Sequence, residues 1–492
     1  MGSLQNKKVF FLILIASLAL IIVGLSSELY LGDEAYHYRF AKNMYYAGHR
    51  LAFDPIYGTG LPPGYFYNSD PFWNILLAFI WKVLGGVSFA TAQIYHIFYY
   101  VLLILFTFLL GKEMGGEDEG FYAALIVATT PVVAAFGILF YIDVPVTALS
   151  VVFFYLAFKK KYFFSGLLLG LMYITKRNSW FLLPGVLIAV LFFQDNPGLK
   201  TKVKILAVIG ITCLSIVLPD IYWRENNLKV FAKDDMGISS SGVGTIGGMI
   251  AFLTEKRTKE FFNSSTLSLF DFIKYLGIPL LAFMIAYFLF RRHRKKDIIL
   301  WAPLLSYLTF FILFFGINSD IRYLLPIVPF LAILSGSIAV SFGRAWIKGL
   351  ILLLCGLQLL SSSLYVYAHR KMPEGIRQGF TYIRGNTSPN ALIMYPEYIF
   401  LEATERKFVW IRFQGLESLF WRDDQKMIEV LERNRLDYIL IKKSRVYNDM
   451  EERHFGGYPH SFVMRLPQLP FMERVFANDQ LELWKVNLKP KN

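Results

Sequence analysis

The chain has 492 residues, of which 55% are hydrophobic and only 17% are charged, against about 25% charged residues in an ordinary soluble protein. Charged residues make up 14% of positions 1–370 but 29% of positions 371–492, which indicates a membrane-embedded part followed by a soluble part. This composition excludes a disordered chain, a collagen-like repeat and a disulfide scaffold. The two cysteines, Cys213 and Cys355, lie inside apolar runs, where a disulfide is not expected.

The net charge of +14 has a distribution that argues against nucleic-acid binding. The basic residues form short clusters between apolar runs, and the main clusters are 159–161 and 291–296. Such clusters are typical of the cytoplasmic loops of membrane proteins. We therefore expect a membrane protein that has no nucleic-acid partner.

Eleven apolar runs predict membrane-spanning helices. They are 9–23, 89–110, 121–141, 144–158, 162–175, 178–193, 203–222, 272–290, 298–316, 323–341 and 347–367. Lys7 and Lys8 precede the first run, and a small-residue cleavage site does not follow it. We interpret this run as a membrane helix that begins in the cytoplasm, and not as a removable signal.

A further apolar segment, 71–84, decides the predicted topology. Its 14 residues would make a helix of about 21 Å, shorter than a hydrocarbon core of about 30 Å. If this segment lies along the membrane surface, the inside loops contain 16 basic residues and the short outside loops contain only Lys176, Arg177 and Arg322. If it spans the membrane, every later loop changes side, and the excess of basic residues moves to the outside loops. The positive-inside rule therefore predicts an interfacial helix, and an extracytoplasmic C-terminal part on a protein of the plasma membrane.

Two domains follow from this topology. Residues 1–369 form the helical membrane domain, with a first outer loop at 28–88 that contains interfacial helices and a long outer loop at 223–271. Residues 370–492 are expected to form a small α/β domain. Its predicted strands are 391–395, 407–411, 437–441 and a hairpin over 472–486, and its predicted helix is 422–434.

Ionisable residues at the ends of spans are costly unless they are paired or face a wet cavity, so they are candidates for function. On the predicted outer side they are Asp33, Glu34, Asp143, Lys176, Arg177, Asp320 and Arg322.

Asp33 and Glu34 begin a predicted amphipathic helix whose apolar side includes Tyr36. They could favour the helix dipole, or a carboxylate there could take a proton from an attacking hydroxyl. Asp143 could cap a helix, contact a substrate or orient a cation.

Lys176 and Arg177 join two short predicted spans, which should hold both cations below the outer interface. They could snorkel to lipid head groups, or they could bind the phosphate of a membrane lipid. Asp320 and Arg322 could pair with each other, or Arg322 could join the same phosphate site.

Metal ligation is weakly indicated, since the seven histidines are scattered and a familiar ligand spacing is not present among them. A divalent cation between Asp33, Glu34 and Asp143 is an alternative. We expect neither a metal nor another resident cofactor.

Four local motifs resemble those of the GT-C superfamily of integral-membrane glycosyltransferases. The related families are the protein O-mannosyltransferases and the aminoarabinose and galacturonic-acid transferases. The motifs are 32–36 (Gly-Asp-Glu-Ala-Tyr), 61–64 (Leu-Pro-Pro-Gly), 174–177 (Ile-Thr-Lys-Arg) and 321–326 (Ile-Arg-Tyr-Leu-Leu-Pro). The resemblance covers residues 8–367 in topology. It implies a GT-C-like bundle of about eleven transmembrane helices.

The resemblance also implies an enzyme that moves a sugar from a polyprenyl-phosphate or diphosphate carrier to an acceptor on the outer side, with inversion. Asp33 would be the general base and Glu34 would help to hold the acceptor. Lys176, Arg177 and Arg322 would stabilise the departing lipid phosphate. The acceptor, which could be a glycan, a lipid or a protein, stays open. A lipid-linked substrate transporter or flippase and an envelope assembly protein are the competing hypotheses.

Overall fold

The computed structural model describes a mostly helical protein with a small C-terminal sheet. The described residues are 2–24, 29, 32–48, 52–53, 65–66, 71–176, 179, 182–192, 198–227, 280, 285, 287, 297–315, 321–341, 345–368, 371–395, 399–409, 424–447 and 458–488. The predicted span 272–290 and the outer loop 223–271 fall largely outside these residues.

The membrane domain is built from helices that follow the predicted apolar segments, apart from the second, which is the predicted amphipathic helix. They are α1 (Gly2–Gly24), α2 (Gly32–Ala47), α3 (Pro71–Leu84), α4 (Phe89–Gly115), α5 (Glu117–Thr129), α6 (Pro131–Ile138), α7 (Asp143–Phe158), α8 (Tyr162–Thr175), α9 (Leu183–Phe192), α10 (Leu199–Asn227), α11 (Ile298–Phe315), α12 (Val328–Ser341) and α13 (Ala345–Ala368). A 3₁₀ helix, Ile321–Ile327, leads into α12, and the short strands β1 (Ala52–Phe53) and β2 (Tyr65–Phe66) pair in the first loop.

The lengths of these helices test the predicted number of spans in part. Among the described residues, three helical stretches are long and apolar enough to cross a membrane, and they are Phe89–Gly115, Leu199–Trp223 and Arg322–Ser341. The pair α5 and α6 makes a fourth if it is one broken span. The remaining apolar helices are shorter, α3 among them. The total of eleven spans and the interfacial position of α3 therefore stay predictions.

The predicted span 121–141 differs from a straight helix, since α5 and α6 are bent by 61° at Thr130. Pro131 begins α6 and has no backbone N–H to continue the ladder of hydrogen bonds. Carbonyls freed at the end of α5 find other donors: the Tyr100 hydroxyl donates to Ala128 O at 3.1 Å, and the Ser362 hydroxyl donates to Thr129 O at 3.0 Å. A broken helix is tolerated in a membrane when neighbouring helices satisfy its backbone in this way.

Charged side chains mark one end of the bundle, where α4 meets α5. Lys159, just after α7, pairs with Glu113 at 2.6 Å, and Lys348 pairs with Asp118 at 3.4 Å. The 16 residues of α7 make a helix of about 24 Å, which separates this end from Asp143. The structure thus groups Lys159 and Lys348 on one side, as the charge bias predicts. Which side faces the cytoplasm stays a prediction.

Small residues let α5 pack closely against α4 and α12. A Cβ atom added to Gly120 would lie 2.4 Å from Phe108 O, and one added to Gly336 would lie 2.7 Å from Glu119 O. Both obstacles are backbone atoms, which cannot move aside as a flexible side chain can. Close backbone approach of this kind is the usual basis of helix association in membranes.

The C-terminal domain confirms the predicted α/β architecture. Five strands form one sheet in the spatial order 407–409, 392–394, 438–442, 481–486 and 472–477. The first three are parallel to one another, and 481–486 is antiparallel to both of its neighbours. The strands are β3 (Leu392–Met394), β4 (Lys407–Val409), β5 (Tyr438–Lys442), β8 (Met472–Ala477) and β9 (Leu481–Val486), and a separate pair is β6 (Val446–Tyr447) and β7 (Tyr458–Pro459). The helices are α14 (Glu374–Asn386), α15 (Ile399–Thr404), α16 (Asp424–Asn434) and α17 (His460–Arg465).

A buried arginine holds two helices of this domain together. The Arg406 guanidinium donates to Thr387 O at 3.1 Å and to Thr404 O at 3.3 Å, and these carbonyls lie at the C-terminal ends of α14 and α15. A cation at a helix C-terminus also interacts favourably with the helix dipole. Arg406 therefore fixes α15 relative to the rest of the domain.

The close packing of α5 leads to a stability prediction. We expect Gly120→Ala to lower the free energy of unfolding by about 1–3 kcal/mol, the usual cost of an overpacked contact. Gly356→Ala is the matched control, because a Cβ atom there meets nothing within 4 Å. Thermal unfolding of the detergent-solubilised protein measures both variants. Equal melting temperatures for the two would contradict the packing described here.

Candidate active site

The turn at residues 139–142, which joins α6 to α7, connects the candidate residues. The carboxylate of Glu34, in the first turn of α2, accepts a hydrogen bond from the backbone N–H of Phe140 at 2.8 Å. Glu34 is 4% exposed, so this contact lies in the interior. The contact is tertiary: it joins two residues 106 positions apart.

Asp143, directly after this turn, forms an ion pair with Lys176. The side chain of Asp143 is 2% exposed and that of Lys176 is 12% exposed, so the pair is almost completely removed from solvent. Among the described residues, the Asp143 carboxylate pairs with Lys176, and α7 has no side-chain hydrogen bond at its N-cap. The second oxygen of Asp143, Oδ2, is buried and has no hydrogen-bond partner among the residues that the structure describes.

Two tyrosines hold the cations at the end of the 3₁₀ helix. Lys176 Nζ lies 4.4 Å from the centre of the Tyr323 ring, and the Arg322 guanidinium lies 5.2 Å from the same ring. Arg322 also lies over the Tyr141 ring at 4.8 Å. Cation–π contacts are attractive, and they become stronger where water is excluded. Lys176 and Arg322 therefore contact the same aromatic ring.

Aromatic residues close the back of the turn. The Phe140 ring lies 4.3 Å from Trp73 and 5.7 Å from His96, measured between ring centres. His96 Nε2 lies 2.8 Å from Phe136 O, which fixes the ring because a carbonyl oxygen can only accept a hydrogen bond. Nothing in the sequence motifs pointed to Phe140, Tyr141 or His96. The one available signal was the position of Phe140 and Tyr141 just before Asp143.

The other predicted site residues are placed less fully. Tyr36, on α2, packs its ring against His37 and Phe40. The backbone of Asp33 lies in the first turn of α2, next to Glu34. The side chain of Asp33 lies outside the part of the chain that the structure describes, as do Arg177 and Asp320.

The arrangement offers more to an anion than to a metal ion. Among the described side chains, no group of three His, Cys, Asp or Glu residues could hold a metal. Lys176 donates to the Asp143 carboxylate, and its ammonium group has three N–H donors in all. Two cations beside one aromatic ring are candidates to bind the oxygens of one phosphate group.

Comparisons with known proteins concern the fold of the chain. Residues 68–223 match the family model described as dolichyl-phosphate-mannose-protein mannosyltransferase. No curated protein matches the chain.

Several solved structures have a similar fold, although their sequences have diverged. ArnT from Cupriavidus metallidurans bound to undecaprenyl phosphate is 12% identical with a TM-score of 0.63, over 98% of this chain and 98% of that chain. AglB from Archaeoglobus fulgidus, in complex with an inhibitory peptide and a dolichol-phosphate, is 15% identical with a TM-score of 0.63, over 89% of this chain and 69% of that chain.

The arabinofuranosyltransferase AftD from Mycobacteria is 14% identical with a TM-score of 0.54, and the match covers 99% of this chain and 40% of that chain. The resemblance predicted from the sequence is thus confirmed at the level of fold: residues 68–223 match the mannosyltransferase family model, and the chain has a fold similar to those of ArnT, AglB and AftD.

Proposed function

We propose that this protein transfers a sugar from a polyprenyl-phosphate or diphosphate carrier to an acceptor at the extracytoplasmic surface of the plasma membrane. The observation that carries the proposal is the convergence of Lys176 and Arg322 on Tyr323, within one polar cluster that also contains Asp143. The partners would be a lipid-linked donor within the membrane and a glycan, lipid or protein acceptor. ArnT and AglB, which share the fold, have been solved with a polyprenyl phosphate and a dolichol-phosphate bound.

In this proposal Lys176 and Arg322 stabilise the departing lipid phosphate. When the bond between the anomeric carbon and the phosphate oxygen breaks, negative charge grows on the lipid phosphate. Fixed cations bind that transition state more tightly than the ground state, which lowers the barrier. Asp143 holds Lys176 in place through the buried ion pair, and Arg177 would add a third cation. Asp320 and Tyr36 remain candidates for substrate contacts.

The acceptor hydroxyl needs a base, and we assign this role to Asp33. The hydroxyl oxygen attacks the anomeric carbon from the face opposite the phosphate, its proton passes to the Asp33 carboxylate, and the phosphate leaves with the bonding electrons. One displacement of this kind inverts the configuration. Glu34 is less suited to be the base, because it is buried and accepts the Phe140 N–H. We assign Glu34 to holding the 139–142 turn beside the acceptor.

A flippase for a lipid-linked substrate is the second candidate function. One observation favours it: α5 and α6 form a broken helix pair, and broken helices are a feature of transporters. The two functions differ in chemistry, since a transferase releases the polyprenyl phosphate from its sugar and a flippase leaves that bond intact. Mass spectrometry of donor lipids after incubation with the purified protein separates them.

The first prediction concerns the base. Asp33→Asn removes the proton acceptor but keeps the size of the side chain, so transfer should fall by about 10²- to 10⁴-fold. The measurement is the release of polyprenyl phosphate from a panel of polyprenyl-phosphate sugars. Asp118→Asn is the matched control, since Asp118 lies on the surface at the opposite end of the bundle and should keep the wild-type rate. An Asp33→Asn variant with full activity would refute the assignment.

The second prediction concerns the phosphate site. Lys176→Ala and Arg322→Ala should each raise the Kd for undecaprenyl phosphate by about 10- to 100-fold, because each removes charge-assisted hydrogen bonds worth about 1.5–3 kcal/mol. Uncharged undecaprenol should bind both variants and the wild type equally. Lys348→Ala, at the opposite end, provides the control for loss of a lysine. Unchanged affinity in both site variants would eliminate the phosphate site.

A further inference from the structure

The C-terminal domain contacts the helix that carries the proposed base. Glu402, on α15, pairs with Arg39 at 2.7 Å and with Lys42 at 3.1 Å, and both cations lie on α2. The side chains of Arg39 and Glu402 are 6% and 14% exposed, so this contact is largely shielded from solvent. Arg39 and Lys42 are three residues apart and therefore lie on the same face of α2. The carboxylate of Glu402, far along the chain, thus contacts one face of α2.

Glu402 is itself firmly held. Phe400, on the same helix, packs its ring against Phe380 and Tyr395 at 5.7 Å and 5.5 Å between ring centres. Arg406 binds the carbonyl of Thr404 at the end of α15. The Glu402 carboxylate therefore links α2 to a fixed position on the C-terminal domain.

Helix α2 also packs on the membrane domain through Tyr38, which lies four residues before Lys42. Tyr38 packs against Trp81 at 5.4 Å and Phe140 at 6.3 Å between ring centres. Burial, and then the charges of Glu402 and Tyr46, raise the pKa of Tyr38 to about 12, so this residue stays neutral at the pH of the cell. Since a helix of 16 residues moves as a rigid rod, contacts at Arg39 and Lys42 set the tilt and rotation of its first turn.

We propose that Glu402 is a positioning residue: through Arg39 and Lys42 it orients α2, and so places Asp33 relative to the phosphate-binding cations. This inference rests on the proposed transferase function. The donor phosphate is held by Lys176 and Arg322, which lie on other elements. Loss of Glu402 therefore impairs the chemical step and spares donor binding, because a base displaced by about 1 Å can cost about 100-fold in rate.

The test is Glu402→Gln, which keeps the shape of the side chain and removes its charge. We expect kcat to fall by about 10- to 100-fold while KM for the lipid-linked donor and the Kd for undecaprenyl phosphate stay unchanged. Glu402→Asp, which restores the charge, should recover part of kcat. Glu405→Gln is the matched control, because it makes the same substitution three positions further along the chain. The Glu405 carboxylate pairs with Arg384 on the surface, so this variant should behave as wild type.

Hydrogen exchange distinguishes failure of this inference from failure of the proposed function. Amide exchange in residues 32–47 should be faster in Glu402→Gln than in wild type or Glu405→Gln, whether or not a transferase assay succeeds. Should Glu402→Gln fail to accumulate, Lys42→Met removes the more exposed partner alone and should give a smaller drop in kcat. Unchanged exchange in 32–47, or a rise in donor KM without a fall in kcat, would overturn the inference.

Discussion

A charge inside a membrane protein must be paired, and the buried ion pair between Asp143 and Lys176 meets this constraint at the end of two short helices. An isolated carboxylate with so little exposure would cost at least several kcal/mol in desolvation. The ion pair therefore holds the start of α7 beside the end of α8. Because Asp143 follows the 139–142 turn directly, the same pair fixes where that turn lies. Within this turn, the Phe140 N–H donates to Glu34 and the Tyr141 ring contacts Arg322, so both residues lie next to the turn.

The bend between α5 and α6 makes this placement possible. A straight helix through Thr130 would direct the chain along the bundle, whereas the 61° break turns it before the 139–142 turn begins. The break is stable because Tyr100 and Ser362 satisfy carbonyls at the end of α5. Close contacts at Gly120 and Gly336 keep α5 fixed against its neighbours. The site therefore depends on packing along α5 as well as on its own charged residues.

Helix α2 connects this site to the C-terminal domain. Its first turn is tied to the membrane domain by Glu34, and its middle is tied to α15 by Arg39 and Lys42. An acid on such a helix is held by two domains at once. The proposed chemistry requires this kind of control, since a proton acceptor is useful only within hydrogen-bonding distance of the attacking hydroxyl.

The sequence alone determined the features that depend on local pattern. Apolar runs predicted the helices of the membrane domain to within a few residues, except where Pro131 breaks one of them, because burial in lipid demands continuous apolar segments. Short strand-like runs predicted the five-stranded sheet of the C-terminal domain. Charge bias and rare ionisable residues singled out Glu34, Asp143, Lys176 and Arg322, since such residues are expensive at the ends of spans and are kept for a reason.

The tertiary structure alone decided which of these residues meet. Phe140, Tyr141 and His96 belong to the site through packing, and ordinary aromatic residues of a membrane helix look the same in the sequence. The pair of Arg39 and Glu402 joins positions 363 residues apart, and neither side chain has a local pattern that names its partner. The physical reason is that periodicity and hydrophobicity report the surroundings of a residue along its own helix, whereas ion pairs and ring contacts depend on how separate helices are arranged in space.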